Sequence, residues 1–221
     1  MSDIAVNKGG RGSSSAGFSG SGSGFQPGGG RGGTIHELPL AGTTGWYDGN
    51  KVSVDSTLNH WEGKNRNIGH EELLIIGDDG FPVAAYKGNA HSVAFDGDKS
   101  TGKTVTHIHP SGYGGTFSEA DIYNFNAFKQ KEIRAAAKEG TYSLKATKTA
   151  NWDGLNKAYA KAQGSLATKA SEASAKVKAQ GGSSTAQRKA YVDTYHNWYK
   201  SNFKKYGYEY SFTANSSYKM K

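Results

Sequence analysis

The chain has 221 residues, no cysteine, and 27 lysines and arginines against 19 aspartates and glutamates, a formal charge of +8. That length suffices for one domain with its own apolar core, while the missing thiols exclude disulfides, thiolate metal sites and a cysteine nucleophile. The positive balance suits an acidic partner, whether nucleic acid, a membrane surface or an acidic protein, without choosing among them.

Residues 1–34 are dominated by Gly and Ser, with isolated Phe18 and Phe25. They offer too little apolar surface to offset the entropy of ordering, so a flexible arm is expected. Residues 35–221 read as the folded domain. Short apolar runs at 52–54, 73–76, 83–86, 92–95 and 104–108 read as strands. Gly77-Asp78-Asp79-Gly80, between two of them, supplies residues that tolerate positive φ in a tight hairpin. From Ser118 the pattern turns helical on Ile122, Phe125 and Phe128 or Lys129, with Gly140 placed to stop the helix. Residues 141–147 read as another strand. Residues 151 to about 180, apolar only at Leu155, Tyr159, Leu166 and Val177, read as a largely solvated helix, frayed near Gly164 and ended by Gly181-Gly182. A last helix starts near Ser184, and its stripe of Val192, Tyr195, Trp198 or Tyr199, Phe203 and Tyr206 reads as core packing; base stacking beside Lys200, Lys204 and Lys205 is the alternative. Aromatics alternate at Tyr208, Tyr210 and Phe212. The expected architecture is mixed α/β, a central sheet with a helical elaboration over residues 151–206.

One segment carries chemistry. His107 and His109 end an apolar run two residues apart, a spacing that puts both imidazoles on one face of a strand. Pro110 and the glycine-rich 111–115 stretch end that strand beside them. Asp121, one turn into the next helix, completes a His, His, Asp set that leaves a fourth tetrahedral position for water. Zinc in such an open site lowers the pKa of bound water from about 15.7 to roughly 7. Glu71 and Glu72 precede the 73–76 strand, where one of them can reach that water as the proton shuttle. Ser118 is placed to donate to an oxyanion. The plainer reading of Ser118-x-x-Asp121 is a capping box at a helix start.

His107-Ile-His109-Pro-Ser-Gly followed by Ser118-Glu-Ala-Asp121-Ile resembles the signature of the JAMM (MPN-plus) metalloproteases, especially their bacterial RadC-like and phage-associated relatives. The resemblance spans roughly residues 70–146. It implies a zinc-dependent peptidase or isopeptidase with a cytidine-deaminase-like α/β core and a protein or peptide substrate. It further implies His107, His109 and Asp121 as the Zn2+ ligands, Ser118 as the oxyanion-stabilising serine, and Glu72, or else Glu71, as the catalytic base. Eight residues separate His109 from Ser118, where the family pattern has seven. Gly-rich leaders resembling residues 1–34 occur on bacteriocins and phage-associated proteins, where they can serve as docking or translocation segments; the plainer reading is an inert tail.

Of the remaining histidines, His60, His70, His91 and His196 read as structural or surface residues, with a supporting place beside the metal as the alternative for His70; His36, at the edge of the arm, carries no signal. No phosphate-binding loop, dinucleotide fingerprint or serine elbow is present, and a cysteine-free chain cannot hold the zinc of a nucleobase deaminase. Neither a membrane-spanning run nor a secretory leader is apparent, so the expectation is a cytoplasmic chain, phage-associated or released by a non-Sec route. Two alternatives stand beside the peptidase: a delivered toxin acting on nucleic acid, and a non-catalytic structural component of a phage with the same fold.

Overall fold

The computed structural model describes residues 34–40, 53–110 and 117–215, together with the backbone of residues 3–7. In chain order the elements are β1 (Asp3–Asn7), β2 (His36–Leu38), α1 (Val54–Asn65), β3 (Glu72–Ile76), β4 (Pro82–Lys87), β5 (Ser92–Asp96), β6 (Thr104–Ile108), α2 (Glu119–Ala127), β7 (Glu132–Ala137), β8 (Gly140–Ala146), α3 (Trp152–Ala179), α4 (Ser184–Asn202) and β9 (Tyr208–Ala214). Seven strands form one mixed sheet in the order β2-β4-β3-β6-β7-β8-β9, while β1 and β5 make a separate parallel pair. Among the described residues no helix is long and apolar enough to cross a membrane. Of the segment expected to be a flexible arm, Asp3–Asn7 pairs with β5; residues 1–2 and 8–33 lie outside the described residues.

The sheet is covered on both faces. Leu73, Ile75, Val105, Ile133, Ala135, Tyr142 and Leu144 point to the side of α2, α3 and α4, where Ile122, Phe125, Tyr159, Val192 and Tyr199 join the main core. Leu74, Ile76, Ala85, Ile108 and Ala136 point the other way, onto Leu58 and Trp61 of α1. Strand alternation accounts for this division, because cross-strand partners share a face and the register Leu73↔His107↔Ala135↔Tyr142 runs straight across four strands.

Three elements differ from the sequence expectation. Residue 54, expected in a strand, opens α1, because Ser53 caps it by accepting from the Ser56 N–H at 3.1 Å. The buried side of α1 is half polar, Thr57 and Glu62 beside Leu58 and Trp61, which disguises its helical period. Gly140 does not stop the helix after Ser118. That helix ends at Ala127 in a Schellman closure, with Lys129 at φ 49° and hydrogen bonds Lys129 N–H to Asn126 O (3.2 Å) and Gln130 N–H to Phe125 O (3.0 Å). The stretch between, Glu-Ile-Arg-Ala-Ala-Ala, is a wholly buried strand, β7. Burial between two neighbouring strands overrides the helix preference of its alanines. Gly140 opens β8, where an added Cβ would lie 2.4 Å from the Thr213 carbonyl. Finally, α3 runs unbroken through Gly164, held by Leu155, Tyr159, Leu166 and Ala170 against α4. The strands β3, β4, β5, β6 and β8 and the hairpin at Gly77 to Gly80, with Gly80 at φ 82°, follow the expected pattern, whereas β1 and β2 had not been expected.

Glu62 fastens α1 to the sheet. Its carboxylate accepts from Thr106 Oγ1 (2.9 Å) and Arg134 Nη2 (3.1 Å), and from Thr141 Oγ1 (2.9 Å), so residues of β6, β7 and β8 meet on one buried group. Removing one member leaves an uncompensated charge. Glu62→Ala is therefore expected to cost about 3–5 kcal/mol of folding stability, read from the shift in urea unfolding midpoint at unchanged slope.

Candidate metal centre

β6 is a central strand, antiparallel to β3 and parallel to β7, and the β6–α2–β7 crossover begins where it ends. Open α/β sheets present their binding crevices at the carboxyl ends of strands beside such crossovers. The His109 N–H donates to the Ala136 carbonyl at 2.9 Å, which carries the β7 ladder one step past Ile108. The chain thus stays extended through His109, and the alternation places both imidazoles on the face covered by α2. Pro110, without a donor, then ends the pairing. The neighbour of His107 across the ladder is Ala135, a residue small enough to leave space for two rings.

α2 brings the carboxylate. Ser118 is its N-cap, and the capping box is complete: Asp121 N–H donates to Ser118 Oγ at 3.1 Å, and Ser118 N–H donates to Asp121 Oδ2 at 2.7 Å. This box orients as well as caps. With Oδ2 tied to the backbone, Oδ1 is turned toward the histidines and lies 3.3 Å from His107 Nε2. The cap uses Ser118 Oγ as an acceptor and does not consume its hydroxyl proton.

The three side chains share one centre. His107 Nε2 and His109 Nε2 are 2.8 Å apart, and His109 Nε2 is 3.8 Å from Asp121 Oδ2. One ligand atom from each of the three lies within 4.8 Å of the others. Tetrahedral metal–ligand bonds of about 2.0–2.1 Å place ligand atoms about 3.3 Å apart, and the 2.8 Å between the two Nε2 atoms and the 3.3 Å from His107 Nε2 to Asp121 Oδ1 lie near that spacing. His107 and Asp121 are fully buried and His109 is 1% exposed. Among the described residues Asp121 Oδ1 accepts no hydrogen bond, and His107 Nδ1 has no partner. A buried carboxylate oxygen without a hydrogen bond is costly unless a charge meets it, and a cation held between the three side chains would do so. These residues can hold a metal ion.

Burial by itself raises the Asp121 pKa, but the His107 and His109 imidazoles and the Ser118 N–H outweigh it and hold the carboxyl below its ordinary range. The ligand is thus kept in the anionic form that coordination needs. Support comes from the C-terminal helices: Tyr159 and Tyr199 both donate to the carbonyl of Phe117, at 2.9 and 3.3 Å, fixing the residue that precedes the cap. Burial pushes both phenols up, so they remain donors. Nothing in the motif pointed to these tyrosines; their helical spacing marked them only as core.

The register separates the two adjacent glutamates. Glu71 continues the β3–β4 pairing through Gly88 N–H to Glu71 O (2.8 Å) and Glu71 N–H to Asn89 O (2.7 Å), and two residues from Leu73 it shares the face of His107 and His109. It is fully buried. Glu72 faces the opposite side, and its Oε1 lies 2.9 Å from His70 Nε2. The expectation that Glu72 serves the site is therefore corrected: strand parity excludes it, and His70, its partner, is excluded from a supporting place too. His60 and His91 are exposed, whereas His196 is packed in the core, stacked on Tyr142.

Purified protein grown with zinc is expected to retain about one divalent ion per chain after dialysis, by the tetrahedral ligand count. The His107→Ala/His109→Ala variant is expected to retain none by elemental analysis, with its circular dichroism unchanged. No family model, no curated protein and no solved structure matches this chain, so the chemistry of the site rests on its own geometry.

Proposed function

We propose that this chain is a zinc-dependent peptidase or isopeptidase of the JAMM kind, with its sheet and α2 forming a cytidine-deaminase-like core. The carrying observation is the meeting of two imidazole Nε2 atoms and one carboxylate at 2.8 to 3.8 Å, at the carboxyl end of a central strand. A donor set of two nitrogens and one oxygen without thiolate suits zinc, and three protein ligands are the number that leaves a catalytic position open.

When bound, zinc supplies Lewis acidity, polarising a carbonyl and bringing the pKa of a water toward roughly 7. His107, His109 and Asp121 hold the ion, and the Ser118 N–H keeps the Asp121 oxygens in place. Glu71 takes the proton of the attacking water and passes it to the leaving amine, the role that its face of the sheet and its burial allow. The Ser118 hydroxyl donates to the oxyanion of the tetrahedral intermediate. The substrate reaches the site from the end of the sheet where β6 and β7 finish, since α1 and the α2–α4 layer cover the two faces.

The burial of all three ligands favours a second reading: the ion is a staple joining β6 to α2 in a non-catalytic protein of the same fold. The glutamate distinguishes them. For the peptidase, Glu71→Gln is expected to lower kcat/KM on fluorogenic peptide or isopeptide substrates by about 10²–10⁴-fold with metal content unchanged, and Glu72→Gln to leave both unchanged. For the staple, no metal-dependent turnover is found with any variant, yet chelation lowers stability, by about 2.7 kcal/mol where the free ion stood at a hundred times its Kd.

A further inference from the structure

At the far side of the same sheet end lies a cavity of about 360 Å³, between α4 and the edge strand β9. Its volume falls within the roughly 300–1,000 Å³ of small-ligand and peptide side-chain pockets. We propose that this cavity is a recognition subsite for an acidic, apolar-sided segment of the peptide substrate. The proposal rests on the peptidase reading for the ligand being a substrate, and on the cavity's own chemistry for what it binds.

Position is the first argument. His107, Ala135, Tyr142 and Phe212 are consecutive cross-strand partners on β6, β7, β8 and β9, and Phe212 lines the cavity. The metal centre and the cavity therefore occupy one face and one row of the sheet. Three strand spacings of about 4.8 Å put them about 14 Å apart, the span of about four extended residues at 3.3 Å each. Both also reach the same end of the sheet, because Ala214 and Asn215 of the cavity stand beside Gly140 and Glu139, just past the end of β7. A peptide laid across the strand ends meets one site and then the other.

Charge and hydrogen bonding are the second argument. Phe212, Val192 and the His196 ring give the cavity its apolar wall. Three cations line it with two carboxylates, and the carboxylates are already engaged: Glu139 with the Tyr142 hydroxyl at 3.1 Å and with Arg188 at 3.4 Å, and Asp193 with Lys189 at 2.5 Å. Among the described residues no carboxylate pairs with Lys200. One turn before it on the same helix face, His196 has its Nδ1 bonded to the Tyr210 hydroxyl. Burial, and then the nearby Lys200 charge, hold His196 below the usual imidazole range, so it stays neutral. The Lys200 ammonium and the His196 ring, four residues apart on α4, thus stand beside an apolar wall, which is the complement of a carboxylate next to a hydrophobic side chain.

The test uses the full-length protein and three fluorescein-labelled hexapeptides that share their leucines and carry two Glu, two Gln or two Lys. Fluorescence anisotropy is expected to show the Glu peptide binding at least about tenfold more tightly than the Lys peptide, a difference of about 1.4 kcal/mol. Lys200→Glu, a change at an exposed position, is expected to reverse that order, and Lys200→Gln to abolish it. Equal binding of the three peptides, or indifference to Lys200→Glu, overturns the subsite. The peptidase reading fails separately: should the Glu peptide bind as described while no metal-dependent cleavage is found, the cavity is a peptide-recognition site without a hydrolase beside it.

Discussion

Two imidazoles and a carboxylate enclosed in a dry interior are the constraint around which the rest of this structure is arranged. Polar groups withdrawn from water cost several kcal/mol unless they are paired, and a buried carboxylate costs more. At 0 to 1% exposure, the cluster of His107, His109 and Asp121 is tolerable only because its members sit close enough to neutralise one another or a shared cation. Every neighbouring feature contributes to that closeness. The parallel ladder to β7 keeps His109 extended, alanine stands where a larger side chain would crowd His107, and the capping box fixes which carboxylate oxygen faces the rings.

The site was readable from sequence because its geometry is local. A two-residue spacing on a strand and a three-residue spacing at a helix start each fix relative direction without knowledge of the fold. The plain reading of Ser118-x-x-Asp121 as a cap and the chemical reading as a ligand were posed as rivals, yet the geometry allows one carboxylate both, with Oδ2 in the cap and Oδ1 toward His107. The choice between Glu71 and Glu72 was not readable. It depends on the register Leu73↔His107, a pairing between segments more than thirty residues apart in the chain, which no single strand pattern contains.

The same distinction explains the fold. α2 and α3 close with the same Schellman geometry, the second at Gly181 (φ 76°) and the first at Lys129 (φ 49°). Glycine announces such a turn and lysine hides it. Lys129 is held in that conformation by its surroundings, its ammonium lying 4.9 Å over the Trp152 ring, a tertiary contact invisible in the segment itself. β7 and α1 were missed for a related reason. Their composition obeys the layer that buries them: alanines where two strands and a pair of imidazoles crowd, and on the inner side of α1 a glutamate that meets Thr106, Arg134 and Thr141 and a threonine that meets the Gly80 carbonyl.

The motif-bearing segment, residues 70–146, is not a self-sufficient unit in this chain. β9 completes the sheet by pairing with β8 along its whole length, and the aromatic stripe of α3 and α4 supplies much of the main core. Its deepest reach is the pair of phenols on the Phe117 carbonyl. A carbonyl oxygen has two lone pairs, and here both are taken, by Tyr159 from one helix and Tyr199 from the other. At about 1 kcal/mol net for each bond the gain in stability is modest, but the atom they hold is one residue from the cap that sets the Asp121 carboxylate. Displacing that cap by a fraction of an ångström changes a ligand distance directly. The C-terminal helices are therefore part of what makes three ligand atoms coincide, and the long aromatic stripe, unremarkable as core packing, is the frame on which the centre is hung.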